Sequence, residues 1–269
     1  MKKEIVLLLA LVFFALARTT TAEIITQQAS KDTYIDSISP NSNFGQGWKV
    51  LISGTPGKNA HGLFHFDFSS LPPVATIEDV KLTFLVHSNN SSTTYFAHPL
   101  LRSWDESSAT WNQSETGINW TTPGGDYDSI SMEISFPTSI PGWVVADITS
   151  LLVDEQGKIK EDIAEYGLLI KSDSGYSKIL SSEFSTYTNA NTCHSCHGYL
   201  SPELDEGKSS DCAQCHTFDG LSLPGEPTLI VNVVTAVPTL SEWGWIILIT
   251  IILSTGIMIL CNHRITQDN

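Results

Sequence analysis

The sequence is short of positive charge. Fourteen lysines and arginines face 29 aspartates and glutamates, a formal net charge of −15. The segment 1–22, with Lys2, Lys3, Arg18 and Glu4, carries +2, so the rest stands at −17. So acidic a body excludes nonspecific nucleic-acid binding, which needs lysine and arginine to displace phosphate counterions; it suits cations or a basic protein partner, and solubility. Methionine is scarce too: Met132 is the only one between the two chain ends. Also missing are a Ser-His-Asp order, a glycine-rich phosphate loop and a paired-carboxylate motif, so nothing points to a hydrolase or a nucleotide enzyme.

Apolar runs are confined to the ends. Lys2 and Lys3, the run Ile5–Ala17 and the small residues Thr20-Thr21-Ala22 read as a secretory signal peptide over 1–22. Residues 245–261 are apolar apart from Thr250, Ser254, Thr255 and Gly256, near the lower length limit for a spanning helix. His263 and Arg264 follow as a basic flank, which fits a C-terminal transmembrane anchor on an exported body. Just ahead of this run, Val237-Pro238-Thr239-Leu240-Ser241-Glu242-Trp243-Gly244 resembles the Ile-Pro-Thr-Leu-x-x-Trp-Gly sorting signal of Gram-negative bacteria. The resemblance implies that Pro238, Thr239, Leu240, Trp243 and Gly244, within 237–264, are read by an exosortase-type processing enzyme. The protein would then be membrane-anchored, or released to the cell surface or matrix after cleavage.

Between the ends, period-2 segments predict many short strands. In Leu63–Phe68 alternation puts Phe64, Phe66 and Phe68 on one face; in Val80–His87 it does the same for Val80, Leu82, Phe84 and Val86. "WKVLIS", "TYFAHPLL", "SMEIS", "WVVADI", "YGLLIKS", "KILSSE" and "PTLIVNVV" continue the series, and only Thr149–Lys160 has a helical pattern. The expectation is an all-β fold, an antiparallel sandwich over 23–186 closed by a last strand at 227–236. The segments "DTYIDSISPNSNFGQGWKVLISG", "GLFHFDFSSLPPVATIEDVKLTFLV", "WDESSATWN", "WVVADIT" and "YGLLIKS" resemble the DNRLRE domain of bacterial and archaeal surface proteins. That resemblance implies a jelly-roll-like sandwich, and in some members polysaccharide binding. Trp48, Trp104, Trp111 and Trp120 are the aromatics that could stack on a sugar or pack under loops. Asp32, Asp36, Asn41 and Asn43 could coordinate calcium or serve as turn formers.

Residues 187–226 interrupt this pattern with a connection too long for an ordinary loop. They hold Cys193, Cys196, Cys212 and Cys215, leaving only Cys261, in the tail. Two C-x-x-C pairs fifteen residues apart match a zinc ribbon, and four cysteines in an exported chain also suit two disulfides. Neither needs a histidine after each pair, yet His197 and His216 stand there. C-x-x-C-H is the attachment signature of c-type haem. Two covalent haems c are therefore expected, with His197 and His216 as axial iron ligands. His194 is the further candidate in the insertion, and His61, His65, His87 and His98 are those in the sandwich. The expected role is a surface-displayed dihaem electron carrier, its partners a redox protein such as another multihaem cytochrome, and a polysaccharide or sibling subunits. The alternative is a non-redox carbohydrate-binding or adhesive protein whose insertion is stapled by one zinc. A peroxidase would need an open iron and a distal base, which no residue supplies.

Overall fold

Alternating apolar residues have to bury one face of each strand, and here they do so in one mutually paired antiparallel system. The computed structural model describes residues 19–89, 94–135, 142–184, 217–218, 221–222 and 226–237. Most of the expected signal segment, through residue 18, the clustered cysteines with His194, His197 and His216, and the tail from Pro238 lie outside the described residues. Among the described residues no helix is long and apolar enough to cross a membrane.

The elements are β1 (Thr19–Asp36), β2 (Lys49–Thr55), β3 (Lys58–Phe66), β4 (Thr76–Asn89), β5 (Thr94–Pro99), β6 (Gln113–Glu115), β7 (Ile118–Asn119), β8 (Met132–Ser135) and β9 (Gly142–Asp147). Two short helices follow, α1 (Thr149–Leu152) and α2 (Glu161–Tyr166), then β10 (Leu168–Ser172), β11 (Tyr176–Leu180), β12 (Thr217–Phe218), β13 (Leu221–Ser222) and β14 (Thr228–Val237). Ten strands hydrogen-bond in the order β1-β14-β4-β11-β2-β3-β10-β5-β8, with β9 added beside β4. Because β1 also pairs with β3, the path β1-β14-β4-β11-β2-β3 closes on itself. The architecture is all-β and antiparallel, consistent with a β-sandwich. Two compact units divide the chain: Ile24–Leu71 with Thr76–Val233, and Met1–Glu23 with Pro72–Ala75 and Val234–Asn269. The candidate site described below lies in the larger.

The expected strand segments all form, and Val80, Leu82, Phe84 and Val86 are buried as their period requires. Phe64 and Phe66 are buried as well, but β3 ends at Phe66, leaving Phe68 outside it. Leu63, on the opposite face of β3, is also fully buried. A second core covers that face, in which Leu63 packs with Ile35, Leu100, Trp104, Ala109, Trp120 and Leu169. The long connection between β5 and β8 supplies its tryptophans. Each large apolar side chain buried there contributes on the order of 2–3 kcal/mol of burial free energy.

The helical expectation over Thr149–Lys160 holds for Thr149–Leu152 and is corrected beyond it. After α1 the chain turns: Asp154 Oδ1 accepts the N–H groups of Gln156 and Lys158, Gly157 takes φ +70°, and Val153 bridges to Ile159. The aspartate caps a tight turn better than it continues a helix, and the left-handed position takes glycine.

Candidate functional site

The register on the covered face fixes which polar groups gather there. Leu63 pairs with Leu169, and Leu169 with His98, so the three side chains share one face. Two residues further along β3 and β10, the same face carries His61 and Lys171. The connection from β5 to β8 then lays Trp111 and Tyr127 against these groups, and both aromatic rings remain partly open.

The cluster is held from several directions. Gly124 N–H donates to the Trp111 carbonyl at 2.8 Å, and the Trp111 ring lies over Gly124 so closely that a Cβ there would stand 2.8 Å from its Cζ2. Gly124 has φ +100°, so only glycine suits the position on both counts. The His61 ring sits 4.9 Å from Trp111, and its Nδ1 lies 2.7 Å from the Gly124 carbonyl. The His98 ring is 4.8 Å from Tyr127, and its Nδ1 lies 2.8 Å from the Asp128 carbonyl. Lys171 Nζ donates to Tyr127 Oη at 3.3 Å and stands 5.3 Å from that ring's centroid, a cation–π distance. Arg102 Nη1 reaches Asp126 at 3.2 Å, and the N–H groups of Thr121 and Thr122 donate to the same carboxylate. Burial opposes ionisation of Asp126, but these donors hold it below the ordinary carboxylate value.

Burial pushes His61 down to about 4, against the raising effect of the Gly124 carbonyl, and Lys171 and His98 push the same way. His98 is lowered by burial as well. Both imidazoles are therefore neutral near pH 7. The result is an aromatic wall edged by a lysine, a phenol and neutral histidines, a combination suited to a ring-shaped ligand with an apolar face and polar rim.

The four tryptophans singled out in the sequence separate into different roles. Trp104 and Trp120 are 3% and 4% exposed, and their indole N–H groups donate to the carbonyls of Tyr166 and Thr110. They hold the loop down. Trp48 packs elsewhere, against Leu85, Leu180 and Phe184 with Trp143 nearby, and edge-on to His87. Only Trp111 enters the cluster. The four sandwich histidines also part: His61 and His98 flank Tyr127, whereas His65 Nδ1 pairs with Ser30 Oγ at 2.7 Å and His87 lies beside Trp48. Tyr127 and Lys171 were not legible as site residues. The "GGDYDS" run that holds Tyr127 is a turn signal, and nothing in it marks an aromatic platform.

Asp32, Asp36, Asn41 and Asn43 are each engaged within the chain. Asp36 Oδ1 accepts from Ile38 N–H, Asn41 Oδ1 from Asn112 Nδ2, Asn43 Oδ1 from Gly45 N–H, and Asp32 Oδ2 from Ser182 N–H. Among the described residues no group of three or more histidine, cysteine, aspartate or glutamate side chains could hold a metal ion. A concavity away from the cluster, lined by Glu78, Met132, Asp147, Asp154 and Glu155 among others, is acidic and has no aromatic ring.

No match is found among curated proteins. Residues 23–192 match carbohydrate-binding module family 96, most of the chain and the whole of the cluster's scaffold. An antiparallel β-body with an aromatic wall beside neutral polar groups is in keeping with that match, and the chain belongs to carbohydrate-binding module family 96.

Proposed function

We propose that this protein is an exported carbohydrate-binding module that holds a polysaccharide at the cluster of Trp111, Tyr127, His61 and Lys171. The observation that carries the reading is the pairing of a partly open Trp111 ring with hydrogen-bonding groups on a rigid sheet face, in a chain of carbohydrate-binding module family 96. A pyranose ring has an apolar face for the indole and hydroxyls for the rim. Affinity electrophoresis in gels containing soluble polysaccharides tests it. Wild type should be retarded in at least one gel, and Trp111→Ala should run as in a blank gel while keeping its thermal transition. Retardation undiminished in Trp111→Ala removes the site.

A second reading applies to residues 187–226, and the two C-x-x-C-H runs favour it. Cys193, Cys196, Cys212 and Cys215 would attach two haems c, with His197 and His216 as proximal ligands, His194 a further candidate, and one zinc the rival cargo. The module would then tether an electron carrier to a polysaccharide surface beside its redox partner, displayed through the sorting signal at 237–264. A haem-stained denaturing gel of protein matured in a cytochrome c assembly host decides between them. Covalent stain with two haem equivalents supports haem; a colourless protein with one zinc sinks it and leaves the binding reading untouched.

A further inference from the structure

The Trp111 platform leans on a turn with almost no apolar side chain to hold it. From Thr121 to Asp126 the chain reads Thr-Thr-Pro-Gly-Gly-Asp, with Thr121, Thr122 and Pro123 exposed. Gly124 and Gly125 take φ +100° and +104°, so two successive residues have the widest backbone freedom to lose. Yet this turn supplies the underside of the site. Gly124 lies against the Trp111 ring, its carbonyl meets His61 Nδ1 at 2.7 Å, and Tyr127 follows two residues after Gly125. A carbonyl can only accept, so the proton of the neutral His61 ring sits on Nδ1 and Nε2 is left as an acceptor.

One carboxylate restrains the turn. Asp126 Oδ2 accepts the Thr121 N–H at 2.9 Å and Oδ1 the Thr122 N–H at 3.1 Å, which closes the turn on itself. Arg102 Nη1 donates to Oδ2 at 3.2 Å and to the Asn119 carbonyl at 2.7 Å, and the Asp126 carbonyl takes the Leu101 N–H at 2.9 Å. Both ends of the tryptophan-bearing stretch are thereby tied together. The Asp126 side chain is only 13% exposed, so water competes little for these charge-assisted bonds. None of them involves Trp104 or Trp120, which anchor the same stretch through the core. Given the polysaccharide-binding reading, on which this inference rests, we propose that Asp126 is a positioning residue of the site: its carboxylate, acting through Gly124, sets the Trp111 ring and the His61 tautomer without touching the ligand.

Affinity electrophoresis with a β-glucan, a galactomannan and polygalacturonate picks the polymer that retards the full chain most, and titration calorimetry then follows that polymer. Asp126→Ala should weaken its binding roughly tenfold, the scale of one charge-assisted hydrogen bond. Asp126→Asn, which keeps the shape and one acceptor oxygen, should fall in between. Asp154→Ala is the comparison, because Asp154 closes a turn in the same way, accepting the Gln156 and Lys158 N–H groups, but lies away from the platform. It should leave binding unchanged at a similar cost in thermal midpoint. The second readout is the His61 ring itself, followed by proton–nitrogen NMR at pH 7, with its signals assigned by their loss in His61→Ala. Wild type should carry the proton on Nδ1. Asp126→Ala should shift it towards Nε2, and Asp154→Ala should not. Should Asp126→Ala fail to fold, Asp126→Asn decides on the same two readouts. Unchanged affinity in Asp126→Ala, with binding lost in Trp111→Ala, overturns the inference and keeps the site. Weakened affinity with an unmoved His61 proton, or an equal loss in Asp154→Ala, overturns it as well. If none of the three polymers retards the wild type, the inference and the reading beneath it fall together.

Discussion

Trp104 and Trp120 lie on the same connection as Trp111, yet they serve opposite ends. The first two are sealed in the second core with their N–H groups bonded to carbonyls, at 3% and 4% exposure. Trp111 packs against the edge of that core and over Gly124 and His61, yet stays only partly buried. One loop thus contains both its own foundation and the surface it presents. A rigid platform on a loop needs such anchors, because an aromatic ring on a mobile loop would lose on ordering much of what it gains on stacking.

The largest effect that sharpens this contrast is on stability. Trp120→Ala and Trp104→Ala should each cost about 3–5 kcal/mol, read as a lower denaturant midpoint, because each opens a cavity and removes the donor to a carbonyl, buried in the case of Thr110. Trp111→Ala should move the midpoint far less and remove polysaccharide retardation. Equal destabilisation by all three would erase the distinction.

Gly124→Ala comes next. It strains a backbone at φ +100° and drives a methyl into the Trp111 ring, so binding should weaken severalfold by isothermal titration with the fold kept. Unchanged affinity would mean that the ring can shift without consequence. Tyr127→Phe is milder: it removes the acceptor of Lys171 and the phenolic donor, and should weaken binding a few-fold, about one hydrogen bond, with no change in midpoint.

A fourth prediction concerns a buried group far from any platform role. Asp32 is 1% exposed, with Oδ1 lacking a hydrogen-bond partner, and burial pushes its carboxyl up to about 8, helped by Glu183 and Glu106 against the Ser182 donor. The unfolded chain releases this proton near pH 4 while the folded one holds it to about 8. The folded state thus binds the extra proton in that window, and Asp32 makes stability fall as pH rises through it, then level off. Asp32→Asn should flatten that decline and gain on the wild type from pH 4 towards pH 8, followed by chemical denaturation. Parallel profiles would show that Asp32 ionises normally in the folded protein.

Much of the scaffold was legible because strands obey a local rule. Period two named the buried set of β4 and the inner phenylalanines of β3 before any pairing was known. The same rule failed for Leu63, since a strand cannot reveal that a distant loop will fold over its outer face. The helical pattern over Thr149–Lys160 carried only to Leu152, beyond which the Asp154 side chain and Gly157 compete for the backbone and win a turn. In the site, Trp111 and the pair His61 and His98 were on the candidate lists, though the histidines stood there as iron ligands. Tyr127 and Lys171 were absent, for their meaning comes only from a contact between residues 44 positions apart.

By itself, the sequence determined the acidic surface, the antiparallel β class, the paired C-x-x-C-H runs and the family to which residues 23–192 belong. The first three are properties of composition, period and spacing and the last of a match along the chain, and none needs a partner across the fold. Tertiary structure alone decided which tryptophan is foundation and which is platform, and which histidine nitrogen bears the proton. Both depend on what lies opposite in space: a covering loop for the indoles, a carbonyl at 2.7 Å for His61. Burial and hydrogen-bond polarity are set by neighbours, and the neighbours are chosen by the register of β3, β10 and β5.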